Sequence, residues 1–598
     1  MDNQEKVIPV RSFIAIVEKS YAIRRPHPSY RMDVTENIVK ASVSRDERSR
    51  VFFVPRKEAG TLDDKKFVIK RVKFLLGDYS NFGPPRLDKA SGSSALLEFK
   101  PESDTTIDLL TSIVGLPPVF LYEDHHYIIL TSDIHLILIL PDVYLKFDPE
   151  GILDLGYVGY PVDGRTLFRN VRFLPGGHRV KIFSNGQMSV KSQWSLPQPP
   201  RELDWFSYIS LQAECFMTAL KKMNTTESFL SLTAGLDTRS IFSGLIKNGI
   251  RIPACTISGK TLSLDAMTAR SLCAHYGLKH ELVVLDDSFV NTLYRYVREA
   301  SLLSGGLASV SQAHEVYFYS KIAHLGTCRV SGNLGNQVGR RGVERIALKG
   351  IDLSILNSQL YASIDNHKHN DWLEKGIGND GVPDHAFLLQ KEIPFSSVSN
   401  YCIGNHFALQ QVPYGDGQLL ENLSLMPKSE TNNHKISLRR MRLRDLRHRF
   451  LGHSRSKSFQ LKVISDIGGY AARYPINWGW KAAGGVSVPG LLRGVSAAID
   501  AFAYSKDLYS RPVGHMLNAF RINGLHEYVD QRNWLSVYLK EFILDILDTS
   551  EVNNSGLFDT VKLKAILDDY HKSGTNNHKE IVFALDLALA LNIFKASV

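Results

Sequence analysis

At 598 residues the chain exceeds what one hydrophobic core accommodates, and its length predicts roughly two to four domains. Its 44% apolar and 22% charged residues are those of an ordinary globular protein able to bury a sizeable core. The 71 Lys and Arg against 61 Asp and Glu give a mild excess of +10, which suits anionic ligands such as nucleotides, pyrophosphate or acidic peptide segments. No basic module interleaved with aromatics and no zinc-finger spacing supports a nucleic-acid partner.

The N-terminal residues, Met1 to Lys6, lack the basic start and long apolar run of a signal peptide. Five widely spaced cysteines without a CxxC pair indicate neither a disulfide framework nor structural zinc, so a cytoplasmic location is expected. Residues 1–195 read as β-rich, with short Val/Ile/Tyr/Phe runs at Val51–Val54, Val119–Tyr122, Tyr127–Leu130 and His178–Phe183. Glu123 and Asp124-His125-His126 fall between two of these strands. We read a hairpin turn there rather than metal ligands, because neighbouring strand residues point to opposite faces. The apolar stretches Tyr127–Leu140 and Ile581–Phe594 are shorter than a membrane span and carry Asp133 and Asp586. They are expected to be core strands and a buried C-terminal helix, with no membrane partner.

Leu196-Pro197-Gln198-Pro199-Pro200 is a stiff break and the expected boundary between a domain of residues 1–195 and one of residues 203–598. Beyond it, Phe206, Ile209, Ala213, Phe216 and Leu220 recur at helical spacing with one face inward. Apolar runs at Ser228–Leu232, Ala254–Ser258, Leu282–Leu285 and Cys328–Ser331 then alternate with helical patterns, one of them from about Asp265 to Tyr276. That alternation predicts an α/β domain with a parallel sheet flanked by helices, whose ligands bind at the strand C-termini. The stretch Lys435–Lys462 is very basic; it reads as a solvated face, with a docking surface for an anionic partner as the alternative.

The segment Leu232-Thr233-Ala234-Gly235-Leu236-Asp237-Thr238-Arg239 follows a strand and opens a helix. Ala234 and Gly235 permit close approach of a phosphate, Thr233 and Thr238 offer hydroxyls, and the helix N-terminus offers N–H groups. Asp237 suits an oxygen ligand for Mg²⁺ carried on that phosphate. These residues also fit a tight, hydroxyl-capped strand-to-helix turn with Asp237 as its cap.

This loop resembles the pyrophosphate-binding loop of the asparagine synthetase family, usually Ser-Gly-Gly-x-Asp-Ser. Further resemblances follow in order: Asp265-Ala266-Met267, Ser331-Gly332-Asn333-Leu334-Gly335-Asn336-Gln337, Val412-Pro413-Tyr414-Gly415-Asp416 and Arg473-Tyr474-Pro475. Upstream, Gly164–Phe168 and Leu174-Pro175-Gly176-Gly177-His178 look like the end of the family's glutaminase domain. The resemblance implies a sandwich-like, degenerate glutaminase domain followed by an ATP-pyrophosphatase domain. ATP would be held by Leu232 to Arg239, Ile257, Ser331, Gly332 and Asn333; Mg²⁺ by Asp237 and Asn336. Asp237, Lys481 and Arg473 would serve catalysis.

The sequence departs from that pattern at three places. No Cys precedes Cys215, so the family's glutaminase chemistry is absent, as in β-lactam synthetases and lasso-peptide macrolactam synthetases. Asn333 and Asn336 replace the usual acids, and an amide cannot serve as general base. Ile476 falls where the family's late Lys stands, with Lys481 and Arg473 nearby as substitutes. The resemblance implies ATP-dependent amide-bond formation on a precursor peptide, with a partner peptidase of the same pathway. An ammonia-using or small-molecule amide ligase and a non-catalytic nucleotide- or peptide-binding homologue are the alternatives.

Overall fold

The computed structural model describes residues 7–18, 39–43, 49–55, 72–77, 94–99, 103–139, 143–197, 203–223, 225–259, 263–339, 351–362, 385, 388–427, 459–474, 531–573 and 577–597. Within them the chain is mixed α/β. A largely antiparallel sheet precedes a parallel five-stranded sheet flanked by helices. Residues 198–202 at the expected boundary and 435–458 of the basic stretch lie outside the described residues.

The first sheet has eleven strands: β1 (Val7–Glu18), β2 (Val39–Val43), β3 (Ser49–Pro55), β4 (Val72–Gly77), β5 (Ser94–Phe99), β6 (Thr105–Leu110), β7 (Phe120–Glu123), β8 (Tyr127–Thr131), β9 (Val171–Phe173), β10 (His178–Phe183) and β11 (Met188–Ser192). They run in the order β11-β10-β6-β5-β4-β1-β8-β7-β9, with β3 pairing β1 and β2 pairing β3. The long β1 joins the two halves: Val7–Val10 pairs parallel with β4, and Ile14–Glu18 pairs antiparallel with β8. Leu97, Phe99, Ile107 and Val180 from one half share a buried cluster with Phe13, Leu121, Ile128 and Leu130 from the other, so the halves pack across one core.

Alternate residues of β7 and β8 face opposite ways, and both faces are covered. Leu121, Ile128 and Leu130 enter the core between the halves, whereas Phe120, Tyr122 and Ile129 enter a larger cluster shared with helices of the C-terminal half. Burial on both faces explains the unbroken apolar run. The turn between them is the expected hairpin, with Asp124 Oδ1 accepting from the His126 and Tyr127 amides at 2.7 Å each. The run Tyr127–Leu140 is not strand throughout. The Thr131 hydroxyl donates to the Phe13 carbonyl and accepts the Asp133 amide, ending the ladder, and Ile134–Ile139 forms a 3₁₀ helix.

After α1 (Pro149–Tyr157), the C-terminal half opens with α2 (Trp205–Lys222), whose Asp204 cap accepts from the Phe206 and Ser207 amides. Phe206 does not join the inward face: it lies in the first turn, 83% exposed, while Tyr208, Gln212, Phe216 and Leu220 are buried. The parallel strands are β12 (Ser228–Ser231), β13 (Ala254–Ser258), β14 (His280–Val284), β15 (Cys328–Val330) and β16 (Leu409–Gln411), in the order β14-β13-β12-β15-β16. Between them run α3 (Leu236–Lys247) and α4 (Leu264–Tyr276), the latter ending on Gly277 at φ 64°. The helix His578–Phe594 is buried around most of its girth, and its Asp586 accepts from Ser309. No helix among the described residues is long and apolar enough to cross a membrane. All five cysteines are buried free thiols.

Candidate functional site

Strands β12 and β15 are parallel neighbours at the centre of the second sheet, with Leu230 opposite Val330. From β12 the chain winds outward to β13 and β14, and β15 and β16 continue on the other side. The strand order therefore reverses between β12 and β15. Open α/β sheets bind ligands in the crevice that such a reversal leaves at the strand C-termini. The segments emerging there are Leu232–Thr238 after β12 and Ser331–Gly335 after β15.

The first loop is braced by its own hydroxyls. The Thr233 amide donates to Thr238 Oγ1 at 3.0 Å, the two threonine hydroxyls lie 2.8 Å apart, and the Gly235 amide donates to Thr233 Oγ1 at 3.2 Å. Leu232 and Ala234 are buried beneath it, and the Ala234 amide donates to Asp265 Oδ1 at 2.8 Å. Helix α3 starts at Leu236 with Gly235 as its N-cap and no side-chain cap. Its first turn thus presents backbone N–H groups and the positive end of the helix dipole to the crevice.

Asp237 is half-buried and wedged between the two loops. A Cβ on Gly335 would come within 2.6 Å of Asp237 Cγ, and one on Gly332 within 3.1 Å of Asp237 Cβ, so these positions need glycine for the close approach. The Asp237 carbonyl accepts from the Tyr414 hydroxyl at 3.0 Å and from Ser240 Oγ at 2.9 Å. Gln460, on the helix Phe459–Ile467, donates through Nε2 to Asp237 Oδ1 at 2.5 Å and to the Gly335 carbonyl at 3.0 Å. Segments following β12, β15 and β16 thus meet at one aspartate.

Several anticipated residues are placed otherwise. The Arg239 side chain does not belong to a nucleotide surface: it is fully buried and donates to the Ala471 and Tyr474 carbonyls, the latter at 2.9 Å. Burial lowers its pKa to about 10. Its place on α3 turns it inward, so it ties the loop's helix to the Gly469–Arg473 helix. Ile257 is buried in β13, and its side chain is a core contact. Arg473 is exposed on its short helix. Asn333 is exposed. The backbone of Asn336 lies in the short helix Gly335–Gly339, while its side chain, like Lys481 and Ile476, falls outside the described residues.

Three contributors were not singled out as site residues from sequence. Asp265 and Tyr414 lie inside the motifs quoted for the family resemblance, but only the folded chain shows them hydrogen-bonded to the phosphate-type loop. Gln460 carries no sequence signal of its own. Beneath the crevice, Arg329 donates to Ser231 Oγ at 2.7 Å and to Glu315 at 2.9 Å, fixing the end of β12. Burial pushes the Glu315 pKa up, but the Arg329 charge outweighs it and holds the carboxyl below its ordinary value.

The residues present fit a phosphate tail. An uncapped helix N-terminus faces the crevice, and Ser331 Oγ and Gln460 Oε1 are buried polar atoms without a hydrogen-bond partner in the described structure. For Mg²⁺ the donor set is smaller. Asp237 and Asp265 flank the loop, and among the described residues no group of three or more His, Cys, Asp or Glu side chains is placed to hold a metal.

The sequence matches no protein-family model and no curated protein. Among solved structures it resembles NMN synthetase from Francisella tularensis at 12% identity, over 40% of this chain and 98% of that chain, with a TM-score of 0.17. At that score the likeness has no bearing on the chemistry of the site.

Proposed function

We propose that this chain is an ATP-dependent ligase that activates a carboxylate as its adenylate and passes it to an amine. The observation that carries the reading is the convergence of Thr233–Thr238 and Ser331–Gly335 at the point where strand order reverses, around a helix N-terminus without a side-chain cap. The phosphate tail of ATP lies over the first turn of α3, with Ser331 on the opposite wall. A Mg²⁺ ion on the phosphates would take oxygens from Asp237 and Asp265, and would neutralise charge on the departing pyrophosphate. The family resemblance gives the same task to Arg473 and Lys481, but Arg473 is exposed on its short helix and Lys481 lies outside the described residues.

In this reading a carboxylate oxygen attacks the α-phosphorus, and the bond to pyrophosphate breaks. The amine nitrogen then attacks the activated carbonyl, AMP leaves, and the amine proton passes to a base. The protein contributes positioning and charge stabilisation. In this reading the amine belongs to the substrate or to a second substrate. A precursor peptide whose N-terminal amine captures its own Asp or Glu side chain, as in lasso-peptide cyclisation, meets that requirement. Incubation with ATP and candidate peptides tests it: pyrophosphate release lost in Asp237→Ala is the expected result.

One observation favours a second reading, a nucleotide-binding homologue without catalysis. Asp237 Oδ1 is already engaged by Gln460, and Asn333 stands where the family has an acid. ATP binding without AMP formation, across the same peptides and ammonia, would select it.

A further inference from the structure

Away from the crevice, a cleft of ≈ 940 Å³ opens between the two halves of the first sheet. Leu121 on β7 and Arg172 on β9 are cross-strand partners and so share a face; Leu121 belongs to the core between the halves. Arg172 therefore leaves β9 on the side of the cleft. On the opposite wall, Val190 and Met188 of β11 are partners of Val180 and Ile182, which belong to the same core. Val190 is nonetheless 43% exposed, and both it and Met188 line the cleft.

Two further properties distinguish this opening. The Phe183 amide donates to the Gln187 carbonyl and the Gln193 amide to the Gly177 carbonyl, which sets the phase of the β10–β11 ladder. In that phase the N–H and C=O groups of Met188 and Val190 point away from β10. β11 ends the sheet, and these groups have no hydrogen-bond partner among the described residues. The lining carries three carboxylates, Glu123, Asp124 and Asp163, and three cations, Arg169, Arg172 and Lys391. Asp163 pairs with Lys391 at 2.9 Å, and Asp124 accepts from the Tyr122 hydroxyl at 2.7 Å. Arg169 and Arg172 have no side-chain hydrogen bond or ion pair among the described residues.

We propose that the cleft holds an extended, acidic segment of a peptide, added as a strand to the edge of β11 with its carboxylate on Arg172. Only an extended backbone offers donors and acceptors at the two-residue period of Met188 and Val190, while apolar side chains of the same strand fill the space against Leu121 and Leu174. The proposal rests on the reading of the substrate as a peptide, and supplies the place where that peptide is held outside the reaction crevice.

Fluorescence anisotropy on the full chain tests it. The probe is a labelled peptide blocked at both ends, alternating valine and threonine with a central glutamate. We expect saturable binding that weakens about tenfold on changing the central glutamate to glutamine, and about as much on Arg172→Gln. Methylating alternate backbone amides of the probe, which needs no change in the protein, should weaken it similarly by removing the strand pairing. No saturable binding, equal binding of the methylated probe, or indifference to Arg172→Gln would overturn the proposal. ATP binding is measured on the same samples and stays unchanged in Arg172→Gln. Peptide binding without ATP binding would remove the ligase reading and leave the cleft's assignment standing; the converse would remove the cleft's alone.

Discussion

Asp237 and Gly335 belong to loops that follow different strands, yet no side chain fits between them: a methyl group on Gly335 would lie 2.6 Å from Asp237 Cγ and 2.7 Å from its Cβ. Gln460 spans the same pair, donating to Asp237 Oδ1 and to the Gly335 carbonyl. The position of the one aspartate in the phosphate-type loop is thus set by the second loop.

Gly335→Ala should therefore push Asp237 out of place. Overpacking of this kind costs about 1–3 kcal/mol, and ATP affinity should fall more steeply than stability. Urea unfolding alongside ATP titration separates the two. A variant with wild-type ATP affinity would show that the two loops do not act together.

Thr238 braces the loop through two contacts, accepting the Thr233 amide and bonding the Thr233 hydroxyl. Thr238→Val removes both and should weaken ATP binding by about tenfold, on the order of 1.4 kcal/mol, while Thr238→Ser, which keeps the oxygen, restores it. Calorimetric titration of the two variants checks the pair.

Arg239 lies next to the loop in sequence but acts through packing. Arg239→Ala would leave the Ala471 and Tyr474 carbonyls without their donor and open a cavity, costing about 2–4 kcal/mol. The loss should appear in the denaturant midpoint. ATP affinity of the protein that remains folded should change little, which a direct nucleotide contact by Arg239 would not allow.

Three histidines make stability depend on pH. Burial lowers the pKa of His135 and His314, and burial followed by the Arg270 charge lowers that of His280, which lies 3.0 Å from the Thr256 hydroxyl. Below the ordinary value of 6.5 the unfolded chain binds protons that these folded imidazoles refuse, so stability falls as pH drops through that value. Urea midpoints at about pH 7.5 and about pH 5.5 should show the loss, and His280→Gln should lessen it.

Much of the second sheet was legible because each strand is a short apolar run followed by a helical pattern, as at Ala254–Ser258 and Leu264–Tyr276. The His178–Phe183 strand and the Asp124 hairpin were legible for similar local reasons. Local pattern fails where a distant partner decides. Ile134–Ile139 is as apolar as a strand, but the Thr131 hydroxyl takes the Phe13 carbonyl and turns the chain. At the site, residue types at Thr233, Gly235 and Asp237 announced a phosphate-type loop. The direction of Arg239 and the reach of Gln460 depend on packing between segments more than two hundred residues apart, as between Asp237 and Gln460, 223 residues apart in sequence.

Hydrogen–deuterium exchange with and without ATP tests the central claim most directly, because the first-turn amides of α3 are the groups assigned to the phosphates. The account predicts that ATP slows exchange together in peptides covering 232–239 and 331–335, and that Asp237→Ala abolishes the effect. Saturation with ATP that leaves both segments unchanged, or protects only a distant one, would contradict it.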